Sequence, residues 1–128
     1  MGTPDFAVPV LAALLDGGHE VARVYTQPDR PRGRGNRPAA SPISRYARDR
    51  DLQVLQPASL RPKETQDGLS SLAPDLLVVA AYGLILPRRT LELSPLGCLN
   101  LHPSLLPRYR GPSPVSSTIL NGDTETGV

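Results

Sequence analysis

Asn100 and His102 stand one residue apart at the end of a short apolar run, just before Pro103. Alternate residues of a strand share a face, so this amide and imidazole would point one way and Leu99 and Leu101 the other. Pro103 has no N–H to give a ladder and closes the strand. Open α/β sheets bind their ligands at that carboxyl end. An asparagine amide can donate to an oxygen that turns negative in a tetrahedral intermediate. A histidine can accept a proton from an attacking group or return one to a leaving group. The pair therefore suits acyl-transfer chemistry and calls for no metal. So short a pattern is common by chance, however. On those two residues alone, a turn asparagine beside a hydrogen-bonded strand-end histidine is the more frequent meaning.

The elements that must position the pair can be read along the chain. Met1 to Asp5 reads as a turn with Asp5 as a helix cap, and Val10, Leu11, Leu14 and Leu15 make one apolar helical face, stopped by Gly17 and Gly18. An α/β chain normally reaches its first helix from a strand. None precedes Gly2, so the first strand is expected to lie outside this sequence, apart from its last residue at most. Residues 20–26 alternate and are rich in β-branched types, as in a strand. A short helix is expected over 42–50, with Ser41 as its cap, Pro42 at its first position, and Ile43, Tyr46 and Ala47 buried. Residues 52–56 read as a brief strand and 62–72 as a helix anchored by Leu69 and Leu72. Residues 75–81 are apolar on both faces, as in a central parallel strand covered on both sides. A short helix over 88–94 leads to the strand at 97–102. Pro114 to Leu120 reads as a helix with Ser113 capping it, and Thr126 to Val128 as the start of another strand. The pattern predicts one α/β domain with a mostly parallel sheet and helices on both faces.

Composition narrows the class. The chain has 128 residues, 39% of them hydrophobic, and a formal charge of +2, so its overall field selects no partner. It holds one cysteine, Cys98, in an apolar strand, where a small core residue is the favoured reading over a nucleophile. No apolar run is long enough to span a bilayer, and the first residues lack the pattern of a targeting segment. With one Phe, four Tyr and no Trp, a base-stacking platform is not expected. Charge is local: Arg30, Arg32, Arg34 and Arg37 crowd a Pro- and Gly-rich stretch from Gln27 to Ser41. A connection of about 15 residues without structure is either functional or disordered. Guanidinium groups there suit phosphates.

The continuation from Asn100 through Pro103, Ser104, Leu105, Leu106, Pro107, Arg108, Tyr109 and Arg110 to Gly111 resembles the signature of the folate-dependent formyltransferases. Further stretches resemble the members of that family that act on charged initiator tRNA: Met1 to Pro9, Gln27 to Pro31 with Gly33-Arg34-Gly35, Ala80 to Pro87, and Gly122-Asp123 with Thr126 to Val128. The likeness runs end to end and in order. It implies a Rossmann-like fold, a cytoplasmic or organellar location, a monomer, and formyl transfer from 10-formyltetrahydrofolate to the α-amino group of methionyl initiator tRNA in translation initiation. It implies Asn100 and His102 as catalytic residues and no metal. It also implies a folate site built from Leu84, Ile85 and Leu86 together with Ser104, Leu105, Leu106 and Pro107. On the residues alone, 84–86 reads equally as loop packing. The basic stretch becomes the tRNA contact, with Arg34 matching the family's arginine and Arg30, Arg32 and Arg37 beside it. The family's third catalytic residue, an aspartate, falls beyond Val128, and Asp123 does not match it. The resemblance thus implies a partial catalytic domain over 1–128, truncated at both ends, without the carboxy-terminal barrel domain and inactive by itself.

Several rivals share the half-site: a formyltransferase acting on an amino sugar nucleotide or a purine precursor, and a formyltetrahydrofolate hydrolase. From another class comes a dinucleotide-binding module. Its only G-x-G, Gly33-Arg34-Gly35, lacks the third glycine and the following helix.

Overall fold

The computed structural model describes residues 1–32 and 37–128. Two parallel strand pairs form the frame. β1 (Val24–Tyr25) runs beside a later strand, Val54–Leu55, and the pair Leu77–Ala80 and Cys98–Leu101 lies alongside. A third, antiparallel pair joins Arg30–Arg32 to Arg37–Ala39. In chain order these strands are β1, β2 (Arg30–Arg32), β3 (Arg37–Ala39), β4 (Val54–Leu55), β5 (Leu77–Ala80) and β6 (Cys98–Leu101).

Met1 and Gly2 tie the two parallel pairs together. The Gly2 N–H donates to Tyr25 O at 3.0 Å, the Ala80 N–H donates to Met1 O at 2.9 Å, and Gly2 bridges Ala80 in parallel sense. The Met1 amino group donates to Val78 O at 2.6 Å, and burial lowers its pKa to about 6. The spatial order is therefore β4, β1, Met1–Gly2, β5, β6. Only glycine fits at position 2: a Cβ there would collide with the Ala7 side chain and approach Ala80 O to 2.9 Å.

The helices divide between two faces, and strand alternation decides which residues meet them. A 3₁₀ turn (Asp5–Ala7) leads into α1 (Val8–Asp16), and α2 (Pro42–Arg48) packs beside them. Leu11, Ile43 and Ala47 form one buried cluster with Val24 and Ala80. On the other face α3 (Lys63–Ser70) contributes Leu69, which joins Leu60, Tyr25, Leu77, Val79 and Tyr82. Neighbours in sequence, Val24 with Tyr25 and Val79 with Ala80, thus serve opposite clusters. Each leucine so buried contributes about 1.5–3 kcal/mol. Two further helices, α4 (Arg88–Leu91) and α5 (Pro114–Leu120), precede and follow β6.

Several expectations are corrected. Ser41 caps α2 as expected, accepting from the Ser44 N–H at 3.2 Å. Asp5 is no cap but lies within the 3₁₀ turn, and the Ser113 side chain makes no cap bond to α5. Strands are shorter than read, because a ladder needs a neighbour at every rung: residues 20–23 instead border a cavity of about 440 Å³ between the amino-terminal parts of β1 and β5. Residues 126–128 form no strand. The Gln27–Ser41 stretch, read as structureless, carries β2 and β3. Pro31 and Pro38 face each other there. Neither has an N–H, so they can share only the non-hydrogen-bonded rung of an antiparallel pair, leaving the bonded rungs to Arg30 with Ala39 and Arg32 with Arg37.

Candidate active site

The β5–β6 register fixes which way Asn100 points. Leu77 pairs with Cys98 and Val79 with Asn100, so Cys98 and Asn100 share the face of Leu77 and Val79, while Leu101 pairs with Ala80 on the other. Cys98 packs against the Tyr25–Leu69 cluster, and burial pushes its thiol pKa up. A thiol packed in this way, its pKa raised by burial, fits the reading as a small core residue better than that as a nucleophile. Asn100 is exposed on the last full turn of the pleat, and His102 follows where the ladder ends.

His102 is half-buried and its ring is held from one side. Nε2 lies 2.9 Å from Tyr109 O. A carbonyl oxygen only accepts, so Nε2 carries the hydrogen and the neutral ring keeps its lone pair on Nδ1. The loop that presents this carbonyl folds on itself. The Ser104 N–H donates to His102 O at 2.8 Å, the Ser104 hydroxyl donates to Arg108 O at 2.8 Å, and the Arg108 N–H donates to Leu105 O at 3.1 Å. Ser104 is 1% exposed, so its hydroxyl shapes the loop from inside.

Tyr109 has a φ of +54°, the left-handed region that costs a residue with a Cβ about 1–2 kcal/mol. Its side chain is tied down. The Tyr109 hydroxyl donates to Asp123 at 2.6 Å, and Arg108 donates to the Asp123 carboxylate and to the Tyr109 hydroxyl, each at 2.8 Å. The Tyr109 hydroxyl and then Arg108 hold the Asp123 carboxyl below the usual carboxylate range. Sequence reasoning gave Arg108 and Asp123 no task and did not single out Tyr109. A left-handed tyrosine leaves no mark in the sequence; the only signal was that Asp123 follows the Asn121-Gly122 helix stop.

The other expected site residues fall in two places. Leu105 and Leu106 are exposed at the tip of the Ser104–Arg108 loop, with Pro107 beside them. Leu84 and Leu86 lean on the Tyr25–Leu69 cluster, whereas Ile85 is 75% exposed. Leu84 and Ile85, with Gly83, border a cavity of about 370 Å³ completed by residues 58–61, and none of 104–107 lines it. Gly83 itself has a φ of +78°, and a Cβ there would collide with the Gln27 amide, which donates to Tyr82 O at 3.1 Å. Both apolar segments leave the carboxyl ends of adjacent parallel strands. Of the basic residues, Arg30 lies in β2 and is exposed; Arg32 and Arg37 pair along the backbone; Arg34 lies outside the described residues.

A parallel sheet between two helical layers, with an amide and an imidazole where one strand gives out, defines an α/β protein whose candidate site lies at its strand ends. The chain belongs to the formyl transferase family, whose pattern matches residues 1–128. It is 53% identical over 127 residues to the methionyl-tRNA formyltransferase of Marinobacter nauticus, covering 99% of this chain and 41% of that protein. The Hydrogenovibrio crunogenus protein of the same name is also 53% identical, with the same coverage of each chain. That of Methylococcus capsulatus is 55% identical, again over 99% of this chain and 41% of the relative. The chain thus spans about two fifths of the length of the curated relatives it matches.

Proposed function

We propose that this protein transfers a formyl group from 10-formyltetrahydrofolate to the α-amino group of methionyl initiator tRNA, with residues 1–128 as part of a larger catalytic domain. One observation carries the reading: Asn100 and His102 stand at the carboxyl end of β6 in a chain 53–55% identical to relatives named for that activity.

The Asn100 amide donates to the formyl oxygen as it gains negative charge. His102, with Nε2–H engaged by Tyr109 O, offers Nδ1 to the proton that the attacking amine must lose. The amine nitrogen bonds to the formyl carbon, the carbon–nitrogen bond to the donor breaks, and the proton passes to the departing nitrogen. Exposed Ile85, Leu105 and Leu106 supply apolar surface near these strand ends for the flat ring of the folate, with Leu84, Leu86, Ser104 and Pro107 shaping the same two segments. Arg30, Arg32, Arg34 and Arg37 supply cations for tRNA phosphates. With that activity go a monomeric state and a cytoplasmic or organellar location. No helix among the described residues is long and apolar enough to cross a membrane.

The test gives the full-length protein 10-formyltetrahydrofolate and compares charged initiator tRNA with an amino sugar nucleotide as acceptor. Formylation of the tRNA should dominate. Faster formylation of the sugar, or bare hydrolysis of the donor, would overturn the reading.

A further inference from the structure

We propose that Asp123 is a positioning residue for His102: through the Tyr109 side chain it holds the Tyr109 carbonyl against Nε2 and so fixes which ring nitrogen is free. The proposal rests on the reading of His102 as the proton-handling group. It starts from a backbone that needs holding. Tyr109 sits at φ +54°, a conformation its own sequence disfavours, and residues kept so persist only where their surroundings over-determine them. Here the surroundings are few and named. Asp123 accepts from the Tyr109 hydroxyl at 2.6 Å and from Arg108 at 2.8 Å, and Arg108 also lies over the Tyr109 ring, 4.9 Å from its centroid.

Asp123 is itself anchored to a separate element. Its N–H donates to Thr118 O at 3.2 Å in the last turn of α5, and buried Thr118 donates to Pro114 O one turn earlier. The carboxylate, its side chain 17% exposed, thus ties a helix that follows the loop to the loop's strained residue. The carbonyl of that residue is the histidine's partner. A purely structural tie would leave the imidazole indifferent. This one ends on it.

The test reads the imidazole directly. The two histidines of this chain are His102 and exposed His19, which serves as an internal reference for the ring nitrogen-15 shifts of His102, read in the full-length protein with each ring assigned by its loss in His102→Ala or His19→Ala. In the wild type the neutral His102 ring should favour the Nε2–H tautomer well beyond His19. Asp123→Ala and Tyr109→Phe should each reduce that preference roughly three- to tenfold, the range of one hydrogen bond, and the double variant should lose no more than either alone. Asp123→Glu should retain most of it. An unchanged tautomer ratio in folded Asp123→Ala overturns the proposal, as does a wild-type ring no more biased than His19. Should Asp123→Ala not fold, Tyr109→Phe, which removes a single oxygen, decides by the same criterion. The readout needs neither tRNA nor folate, so a full-length protein that formylates some other acceptor sinks the functional reading and leaves this result standing.

Discussion

Two loops leave the carboxyl ends of parallel strands, and they are held in opposite ways. Residues 103–111, after β6, are stitched internally by Ser104 and Arg108 and externally by Asp123, so that one carbonyl meets one ring nitrogen. The arm after β1 is braced at its base. Gln56 donates to Gln27 O at 3.1 Å and to Asp29 at 2.6 Å, and beyond that point the arm is carried by the β2–β3 ladder. The first arrangement fixes the ring proposed to move a proton; the second carries exposed Arg30 on the arm proposed to meet phosphates. A proton transfer tolerates little displacement, whereas phosphate attraction falls off gradually with distance. On the proposed function, each loop is as constrained as its chemistry requires.

That contrast is breakable. The largest effect is expected at the stitched loop: in the full-length protein, His102→Ala should lower kcat for tRNA formylation about 10²–10⁴-fold, and Asn100→Ala about 10²–10³-fold. Neither should weaken charged tRNA binding, measured by filter retention. Arg34→Ala should do the reverse, raising KM for charged tRNA roughly tenfold, as loss of a charged hydrogen bond would, with kcat and folate binding kept. Equal kcat losses from the two loops would erase the distinction. Smaller still, Gln56→Ala removes the brace and should raise the same KM about two- to fivefold. The smallest effect is pH dependence. Asp123 is depressed in the folded chain, so its contribution is present above the ordinary carboxylate range and is lost as pH falls through its lowered pKa. Thermal unfolding in acid should show a steeper loss in the wild type than in Asp123→Asn.

What the sequence disclosed follows from where local chemistry decides structure. Ser41 before Pro42 sets the start of α2 by capping and fixed φ, and Pro114 to Leu120 is a helix with the bounds expected ahead of the Asn121-Gly122 stop, although the Ser113 side chain does not cap it. The continuous apolarity of 75–81 announced a strand covered on both sides, and Leu77, Val79 and Ala80 do serve two clusters. The strand-end position of Asn100 and His102 was legible because Pro103 stops a ladder. Tyr109 and Asp123 were not, since their meaning lies in a contact between separate elements and in a backbone angle that tyrosine rarely adopts. The β2–β3 ladder was hidden for another reason. A proline argues against a strand when taken singly, and these two fit because the register places them together on a rung that needs no donor.

The two-residue strand Val24–Tyr25 allots one side chain to each helical layer. Lengthening the chain by a single residue just before Val24 would hand the tyrosine to the layer of Leu11 and Ala47, where a valine now fits, and strand the valine opposite Leu69. Tolerance to inserted residues should therefore fall to nil three or four peptide bonds before the base of the basic arm.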